Sequence, residues 1–228
     1  MRNGRVVYAQ GPLNESLLLL LAFMCTVVTT GLVLNAVIAD HGRAVEAAQR
    51  LLRELREQTI RDPLTSLYNR RFLQDYLERE LIRAKRERAP LALIMMDLDR
   101  FKRLNDSAGH QAGDQVLVQV GALLKRHVRG SDIACRYGGE EFAVVLPKTT
   151  LESAQRRSAE ICSAIRRQTE LLRGVTASLG VALYPAHATD AEELLRAADH
   201  ALYEAKRAGR NQVRIFADSS KGTGKTVE

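Results

Sequence analysis

A pair of adjacent glycines, Gly138-Gly139, lies between two short runs with the composition of β-strands, Asp132 to Cys135 and Ala143 to Leu146. Tight two-residue hairpins need positive φ angles at their centre, and glycine adopts these without steric cost. The sequence therefore predicts a β-hairpin at this point. Two adjacent carboxylates, Glu140 and Glu141, follow the glycines. They indicate either a solvated acidic turn or a site for divalent metal and phosphate.

A second acidic site follows a predicted buried strand. Residues Leu91 to Met96 form a continuous apolar run after Pro90, which is typical of a strand covered on both faces. The two-residue period of a strand puts Asp97 and Asp99 on one side, where carboxylates and a freed carbonyl can hold a metal. We expect the strand from Glu140 to Leu146 to lie beside this one. Strand geometry alone does not decide which glutamate reaches the metal.

The rest of the chain after residue 70 alternates helices and strands. Apolar periodicity predicts helices over about 71–88, 111–129, 150–168 and 191–208, the last capped by Asp190, and strands over 175–184 and 213–216. This alternation, with one interior hairpin, predicts an α/β (α+β) domain with a central mixed sheet flanked by helices.

The segment from Ser16 to Ala39 contains no charged residue and is long enough to cross a bilayer as a helix. We predict one transmembrane helix over 16–39; the alternatives are a buried core helix and a cleaved signal peptide. The denser basic flank, from Arg43 to Arg61, follows this segment. Basic flanks stay in the cytoplasm. This predicts a single-pass protein of the inner (cytoplasmic) membrane, with the domain that follows residue 61 in the cytoplasm.

Residues 40–61 are predicted to form a short signalling helix. Five positions follow a spacing of three and four, which is the seam of a two-stranded coiled coil: Val45, Ala48, Leu52, Leu55 and Thr59. The seam is short, so the alternative is a single amphipathic helix that lies against the following domain. We favour the coiled coil, which predicts a homodimer. Residues 1–15 and 217–228 are predicted to be tails, the second one disordered.

Charge and composition limit the partners. The chain has 34 Lys and Arg against 27 Asp and Glu, a net charge of +7, which favours nucleotide phosphates or anionic lipids. It has no Trp and few aromatic residues, so we expect no nucleic-acid partner. Cys25, Cys135 and Cys162 lack metal-ligand spacing and lie in apolar stretches, which predicts buried thiols in a reducing compartment.

Residues 62–216 resemble the GGDEF domain family of diguanylate cyclases. Residues 138–142 are similar to the naming motif in its Glu variant, and residues 62–71 to D-x-L-T-x-L-x-N-R-R. Residues 97–114 match D-x-D-x-F-K-x-x-N-D-x-x-G-H-x-x-G-D, and residues 199–211 resemble the carboxy-terminal motif. The resemblance implies a ferredoxin-like, palm-like nucleotide-cyclase core. It also implies a homodimer that condenses two GTP molecules into cyclic di-GMP and two pyrophosphates.

The resemblance also implies roles for individual residues. Two Mg²⁺ ions per active site, or Mn²⁺ instead, would be held by Asp97, the Leu98 carbonyl, Glu140 and Glu141, with Glu140 also activating the 3′-hydroxyl. Asn105 and Asp114 would bind guanine, and His110 would orient their loop. The phosphates would be bound by backbone amides around Arg100 and Phe101 and by Lys102, Lys206 and Arg210. Arg129 and Asp132 match the R-x-x-D motif of the family's inhibitory site for cyclic di-GMP.

A different class of function is a membrane-tethered cyclic di-GMP receptor that has lost catalysis. Receptors of this kind usually have a broken Gly-Gly-Glu-Glu-Phe run or lack the equivalent of Asp97, and this sequence keeps both. A third class, a transmembrane structural protein, would leave the nucleotide-binding residues without a purpose.

Overall fold

The computed structural model describes residues 15, 17–32, 34–35, 38, 41, 60–168 and 170–217. The chain divides into two compact units, Met1–Arg56 and Glu57–Glu228. In the first unit, residues 17–32 are helical and expose their large apolar side chains. Among the described residues, we find no helix that combines the length and the apolar character needed to span a bilayer. The structure therefore does not support the transmembrane helix predicted over 16–39.

The structure tests the predicted burial of the cysteines but not the predictions for residues 40–59 and for the two tails. The coiled-coil positions from Val45 to Thr59, and the tails before residue 15 and after residue 217, lie outside the described residues. Cys135 and Cys162 are buried, as predicted, whereas Cys25 is exposed. The prediction for Cys25 was wrong because the apolar helix that carries it has exposed side chains.

The unit Glu57–Glu228 is built on one six-stranded mixed sheet. Its strands are β1 (Tyr68–Asn69), β2 (Leu91–Leu98), β3 (Ile133–Gly138), β4 (Glu141–Pro147), β5 (Ala177–Tyr184) and β6 (Val213–Ile215). Their order in the sheet is β1-β3-β4-β2-β5-β6. The central strand β2 pairs antiparallel with both β4 and β5, whereas β1 runs parallel to β3 and β6 runs parallel to β5. The predicted mixed sheet is confirmed.

Helices cover both faces of the sheet and create two apolar cores. The helices are α1 (Arg70–Glu87), α2 (Phe101–Ala108), α3 (His110–His127), α4 (Leu151–Arg167) and α5 (Ala191–Arg207). One core includes side chains of α3 and α4, and the other includes side chains of α1 and α5. Every residue of β2 and β5 is buried between these layers, which explains the continuous apolar run of β2.

Local sequence explains where most helices begin. Asp190 caps α5 as predicted, because its carboxylate accepts a hydrogen bond from the Glu193 N–H at 2.8 Å. Asn69 caps α1 in the same way. The short helix α2 was not predicted as a separate element. It begins directly after Arg100, whose φ of 57° is left-handed and which provides no side-chain cap.

The hairpin forms as predicted, but its turn lies one residue later. Strand β3 continues through Gly138 and β4 begins at Glu141, so the turn consists of Gly139 and Glu140. Gly139 has the positive φ, 28°. A register shift between Arg136 and Gly138 inserts an extra residue into β3 and thereby moves the turn along the chain. Glu140 consequently lies at the hairpin tip instead of on a strand.

Candidate active site

The pairing of β2 with β4 brings two acidic segments together. Asp97 lies opposite Glu141 in the strand register. The Leu98 N–H donates a hydrogen bond of 3.2 Å to the Glu140 carbonyl, so the hairpin tip is attached to the end of β2. The prediction that the hairpin lies beside β2 is confirmed.

Asp97, Glu140 and Lys206 form an interacting charge cluster. Burial raises the pKa of Glu140, the negative charges of Asp97 and Glu141 raise it further, and Lys206 opposes the shift. Burial also raises the pKa of Asp97, although the hydrogen bond from Lys206 acts to lower it. The Lys206 Nζ lies 2.8 Å from the Asp97 Oδ2. Carboxylates in such a site repel each other and favour a cation between them.

The donors of this cluster fit a hard divalent cation, although no ready-made metal site is present. In residues 60–168 and 170–217, no three His, Cys, Asp or Glu side chains are arranged to hold a metal ion. Carboxylate and carbonyl oxygens are the ligands that Mg²⁺ prefers. The Lys206 ammonium now supplies part of the positive charge that the Asp97 carboxylate attracts. Asp97, Glu140, Glu141 and the Leu98 carbonyl therefore fit Mg²⁺ by chemistry.

Asp99 lies near Asp97, whose carboxyl feels its negative charge, but it has a different role. Strand β2 ends at Leu98, and Asp99 follows directly. Its contact with Ser178, which is the register partner of Asp97, agrees with the prediction that both aspartates lie on one side. The buried Asp99 carboxylate accepts hydrogen bonds from Thr176 Oγ1 and Ser178 Oγ, both at 2.7 Å, and from the Asn211 N–H at 3.0 Å. Asp99 thus ties the end of β2 to β5 and to the turn after α5.

Asn105, a predicted guanine-binding residue, carries a buried oxygen without a partner. Its Oδ1 accepts no hydrogen bond in this structure, which costs about 1–3 kcal/mol for a buried polar atom. Gly113 of α3 leaves the space that this side chain occupies, since a Cβ at Gly113 would collide with Asn105 Oδ1. Asp114, the second predicted guanine-binding residue, follows Gly113 and is exposed. A ligand with N–H donors would satisfy the Asn105 oxygen.

The predicted phosphate-binding residues lie on two elements. Arg100 and Phe101 form the junction of β2 and α2, where no side chain caps the helix, so the first amides of α2 are available to an anion. Lys102 is exposed on α2, and His110 is exposed at the start of α3. Lys206 binds Asp97, and the charge of Arg210 acts on the same Asp97 carboxyl.

The predicted inhibitory motif has its aspartate already engaged. Asp132 Oδ2 accepts a hydrogen bond from the Arg129 N–H and another from Arg157 Nη2, each at 2.7 Å. The Asp132 side chain is only 2% exposed. Arg157 also donates to the His127 carbonyl at 2.9 Å. The Arg129 side chain is exposed and available, whereas the Asp132 carboxylate holds the turn between α3 and β3 together.

Sequence reasoning missed Arg136, which supports the hairpin tip. Its guanidinium donates from Nε and Nη2 to the Gly139 carbonyl at 3.0 and 2.9 Å. It also forms an ion pair with Asp62 at 3.1 Å, and Asp62 binds Thr65 in the turn that opens the domain. Asp62 and Arg136 are 74 residues apart, so no local pattern links them. The position of Arg136, two residues before Gly138, was the feature of the sequence that could have suggested a contact with the hairpin turn.

Comparison with known proteins identifies the family of this domain. The sequence model described as "Diguanylate cyclase, GGDEF domain" matches residues 59–212. Diguanylate cyclase DosC of Escherichia coli (strain K12) is 39% identical over 179 residues, which are 74% of this chain and 39% of DosC. Diguanylate cyclase TpbB of Pseudomonas aeruginosa (strain UCBPP-PA14) is 42% identical over 166 residues, which are 71% of this chain and 38% of TpbB. The chain thus spans well under half of these curated relatives.

Solved structures agree with this comparison. The crystal structure of the coiled coil and GGDEF domain of DgcB from Caulobacter crescentus in complex with c-di-GMP matches with a TM-score of 0.72 and 34% identity. The matched region covers 80% of this chain and 98% of the DgcB chain. The active GGEEF domain of a diguanylate cyclase from Vibrio cholerae matches with a TM-score of 0.63 and 35% identity, covering 66% of this chain and 98% of that one.

Replacement of Asp62 by Asn should make the free energy of unfolding vary less with pH in the acid range. Burial raises the pKa of Asp62, but hydrogen bonds from Thr65 and the charge of Arg136 outweigh it and hold this pKa below its ordinary value. The ionised group therefore stabilises the fold above about pH 4, and this stabilisation is lost as the pH falls through the lower folded-state pKa. Urea unfolding of the full chain should show Asp62→Asn less stable than wild type at pH 7.

The difference between wild type and Asp62→Asn should shrink as the pH is lowered below about 4. Asp75→Asn is the matched control, because Asp75 is exposed on α1 and should show no such loss. A stability difference that stays constant from pH 7 into the acid range would contradict this role of Asp62.

Proposed function

Because this chain belongs to the GGDEF domain family of diguanylate cyclases, we propose that it condenses two GTP molecules into cyclic di-GMP. The observation that supports this activity most strongly is the strand register that sets Asp97 opposite Glu141 and holds Glu140 of the hairpin tip at the end of β2, beside Lys206. In each half of the reaction, a 3′-oxygen of one GTP bonds to the α-phosphorus of the other. The α–β phosphoanhydride bond breaks, and pyrophosphate leaves with its electron pair.

Guanine would be selected by Asn105 and Asp114. The buried Asn105 oxygen lacks a donor, and the guanine base has N–H donors at N1 and at its exocyclic amino group. A carboxylate such as Asp114 accepts from the same edge. Adenine has no N–H donor at N1 or on C2, so it would leave the buried Asn105 oxygen unsatisfied. This difference discriminates strongly between the two bases.

Two divalent cations, Mg²⁺ or alternatively Mn²⁺, would be held by Asp97, the Leu98 carbonyl, Glu140 and Glu141. Bound cations of this kind stabilise negative charge on the attacking and leaving oxygens of a phosphoryl transfer. Glu140 lies at the hairpin tip, and burial and the charge of Asp97 raise its pKa. A more basic carboxylate is better suited to accept the 3′-hydroxyl proton near neutral pH.

The remaining predicted residues would bind the triphosphate. Amides at Arg100 and Phe101 face an uncapped helix start, and Lys102, Lys206 and Arg210 carry positive charge. Lys206 is bound to Asp97 here, so we expect it to move from Asp97 to a phosphate when GTP binds. His110 would orient the loop between α2 and α3. Each domain would hold one GTP, so the reaction requires a homodimer with two antiparallel domains, paired through residues 40–61.

Replacement of Glu140 by Gln is expected to abolish the cyclase activity. Glutamine keeps the size of the side chain but cannot accept the proton, and loss of a general base lowers the rate about 10²–10⁴-fold. The full chain is incubated with GTP and Mg²⁺, and cyclic di-GMP is quantified by chromatography. Glu152→Gln is the control, because Glu152 is in the first turn of α4, away from the hairpin.

Product from wild type and Glu152→Gln but not from Glu140→Gln would support the proposal. Equal activity of Glu140→Gln and wild type would contradict the role of Glu140. Inactivity of the wild-type dimer, combined with cyclic di-GMP binding that requires Arg129, would support the receptor hypothesis.

We further propose product inhibition at Arg129 and Asp132. Arg129→Ala should weaken cyclic di-GMP binding about tenfold or more, since a bidentate arginine contact to guanine contributes about 1–3 kcal/mol. Arg129 contacts Asp132 only through its backbone N–H, so this variant keeps both that hydrogen bond and the Arg157–Asp132 ion pair. Arg126→Ala, also exposed, is the control. Unchanged affinity of Arg129→Ala in isothermal titration would assign the motif a purely structural role.

We also propose that residues 16–39 anchor the chain in the bacterial inner membrane, with the domain in the cytoplasm. The absence of charged residues from Ser16 to Ala39 supports this proposal. Val27→Arg should release the chain from the membrane fraction after carbonate extraction, because a central arginine costs about 2.5–3.5 kcal/mol. Ile82→Arg, an exposed position on α1, should stay bound. A wild-type chain recovered in the soluble fraction would contradict the anchor.

A further inference from the structure

A cavity of about 580 Å³ lies next to the proposed triphosphate-binding residues. Three separate segments form its walls. Arg100 and Arg103 come from the start of α2, Arg173 from the loop before β5, and Arg210 from the turn after α5. Only Arg100 and Arg210 are used by the proposed cyclase reaction, so Arg103 and Arg173 have no assigned role.

Positive charge outnumbers negative charge on the wall of this cavity, where four arginines face the single carboxylate of Asp99; Arg210 also interacts electrostatically with Asp97. Among residues 60–168 and 170–217, no hydrogen-bond or ion-pair partner is found for any of these four guanidinium groups. The cavity wall includes Asp99, but that carboxylate accepts three hydrogen bonds from Thr176, Ser178 and Asn211. The wall therefore has an excess of positive charge, which attracts a polyanion.

We propose that this cavity binds a diphosphate group and retains the pyrophosphate that leaves in the cyclase reaction. The assignment of pyrophosphate as the source rests on the proposed function. The cavity adjoins the segments that would hold the β- and γ-phosphates, so the leaving group would be released beside it. Guanidinium groups bind phosphate oxygens through paired hydrogen bonds, and Arg103 and Arg173 supply two such groups beyond the triphosphate site.

The lining favours a phosphate group over a base or a lipid chain. It contains no aromatic side chain on which a base could stack. Its apolar members, Leu104 and Val175, are few compared with the four arginines. A diphosphate also places more negative charge within the cavity than orthophosphate does, so it should bind more tightly.

Titration calorimetry of the full chain with inorganic pyrophosphate in magnesium-free buffer tests this site. Arg103→Ala and Arg173→Ala should each weaken pyrophosphate binding about tenfold, which is the usual effect of losing one hydrogen bond to a charged group. Arg86→Ala is the control, since Arg86 is exposed at the end of α1. Wild-type affinity should fall with added salt, and orthophosphate should bind more weakly than pyrophosphate.

Equal pyrophosphate affinity of wild type, Arg103→Ala and Arg173→Ala would overturn the proposal, as would the absence of pyrophosphate binding to wild type. Kinetics provide a second measurement. Both variants should keep the wild-type KM for GTP and should be inhibited less by added pyrophosphate. A raised KM for GTP with unchanged pyrophosphate inhibition would assign the arginines to the GTP triphosphate and would also overturn the proposal.

The proposed cyclase activity and the proposed diphosphate site can be contradicted independently of each other. Arginine-dependent pyrophosphate binding by a chain that makes no cyclic di-GMP would support the site and contradict the proposed function. If the chain is an active cyclase and its pyrophosphate affinity does not depend on Arg103 and Arg173, the proposed diphosphate site is contradicted and the proposed cyclase activity is not.

Discussion

The antiparallel register of β2 and β4 is the constraint on which the candidate site depends. It sets Asp97 opposite Glu141, and the hydrogen bond from the Leu98 N–H to the Glu140 carbonyl holds the hairpin tip at the end of β2. Because β2 is buried along its whole length, a slip by one residue would exchange its side chains between the two cores and disrupt the packing of both. The fold therefore keeps negative charges close together that would separate in a flexible chain.

Three aspartates connect distant segments around this centre. Asp62 binds Arg136, which holds the Gly139 carbonyl of the hairpin tip. Asp99 joins the end of β2 to β5 and to the turn that carries Arg210. Asp132 pairs with Arg157 and closes the turn between α3 and β3. Each carboxylate is satisfied by several donors, which makes burial of its charge tolerable. The loops of the proposed active site are thus positioned by buried polar contacts.

Apolar periodicity and capping residues were sufficient to predict most of the sheet and its helices, because these signals are local. The bulge after Arg136 moved the turn from the glycine pair to Gly139 and Glu140, and no local pattern reports a bulge. Motif spacing identified Asn105, but its unpartnered oxygen depends on packing against Gly113. The contacts of Asp62 with Arg136, of Asp99 with Ser178 and of Asp132 with Arg157 could not be predicted, since the two residues of each pair lie far apart in the chain.

The most direct test of this account is the titration of the Glu140 carboxyl group by ¹³C NMR in wild type and Asp97→Asn. Burial and the nearby Asp97 charge raise the pKa of Glu140, so the wild-type midpoint should lie above that of an ordinary glutamate. Removal of the Asp97 charge should lower this midpoint. A Glu140 that titrates at the ordinary value in both proteins would show that the register does not bring the two carboxylates together.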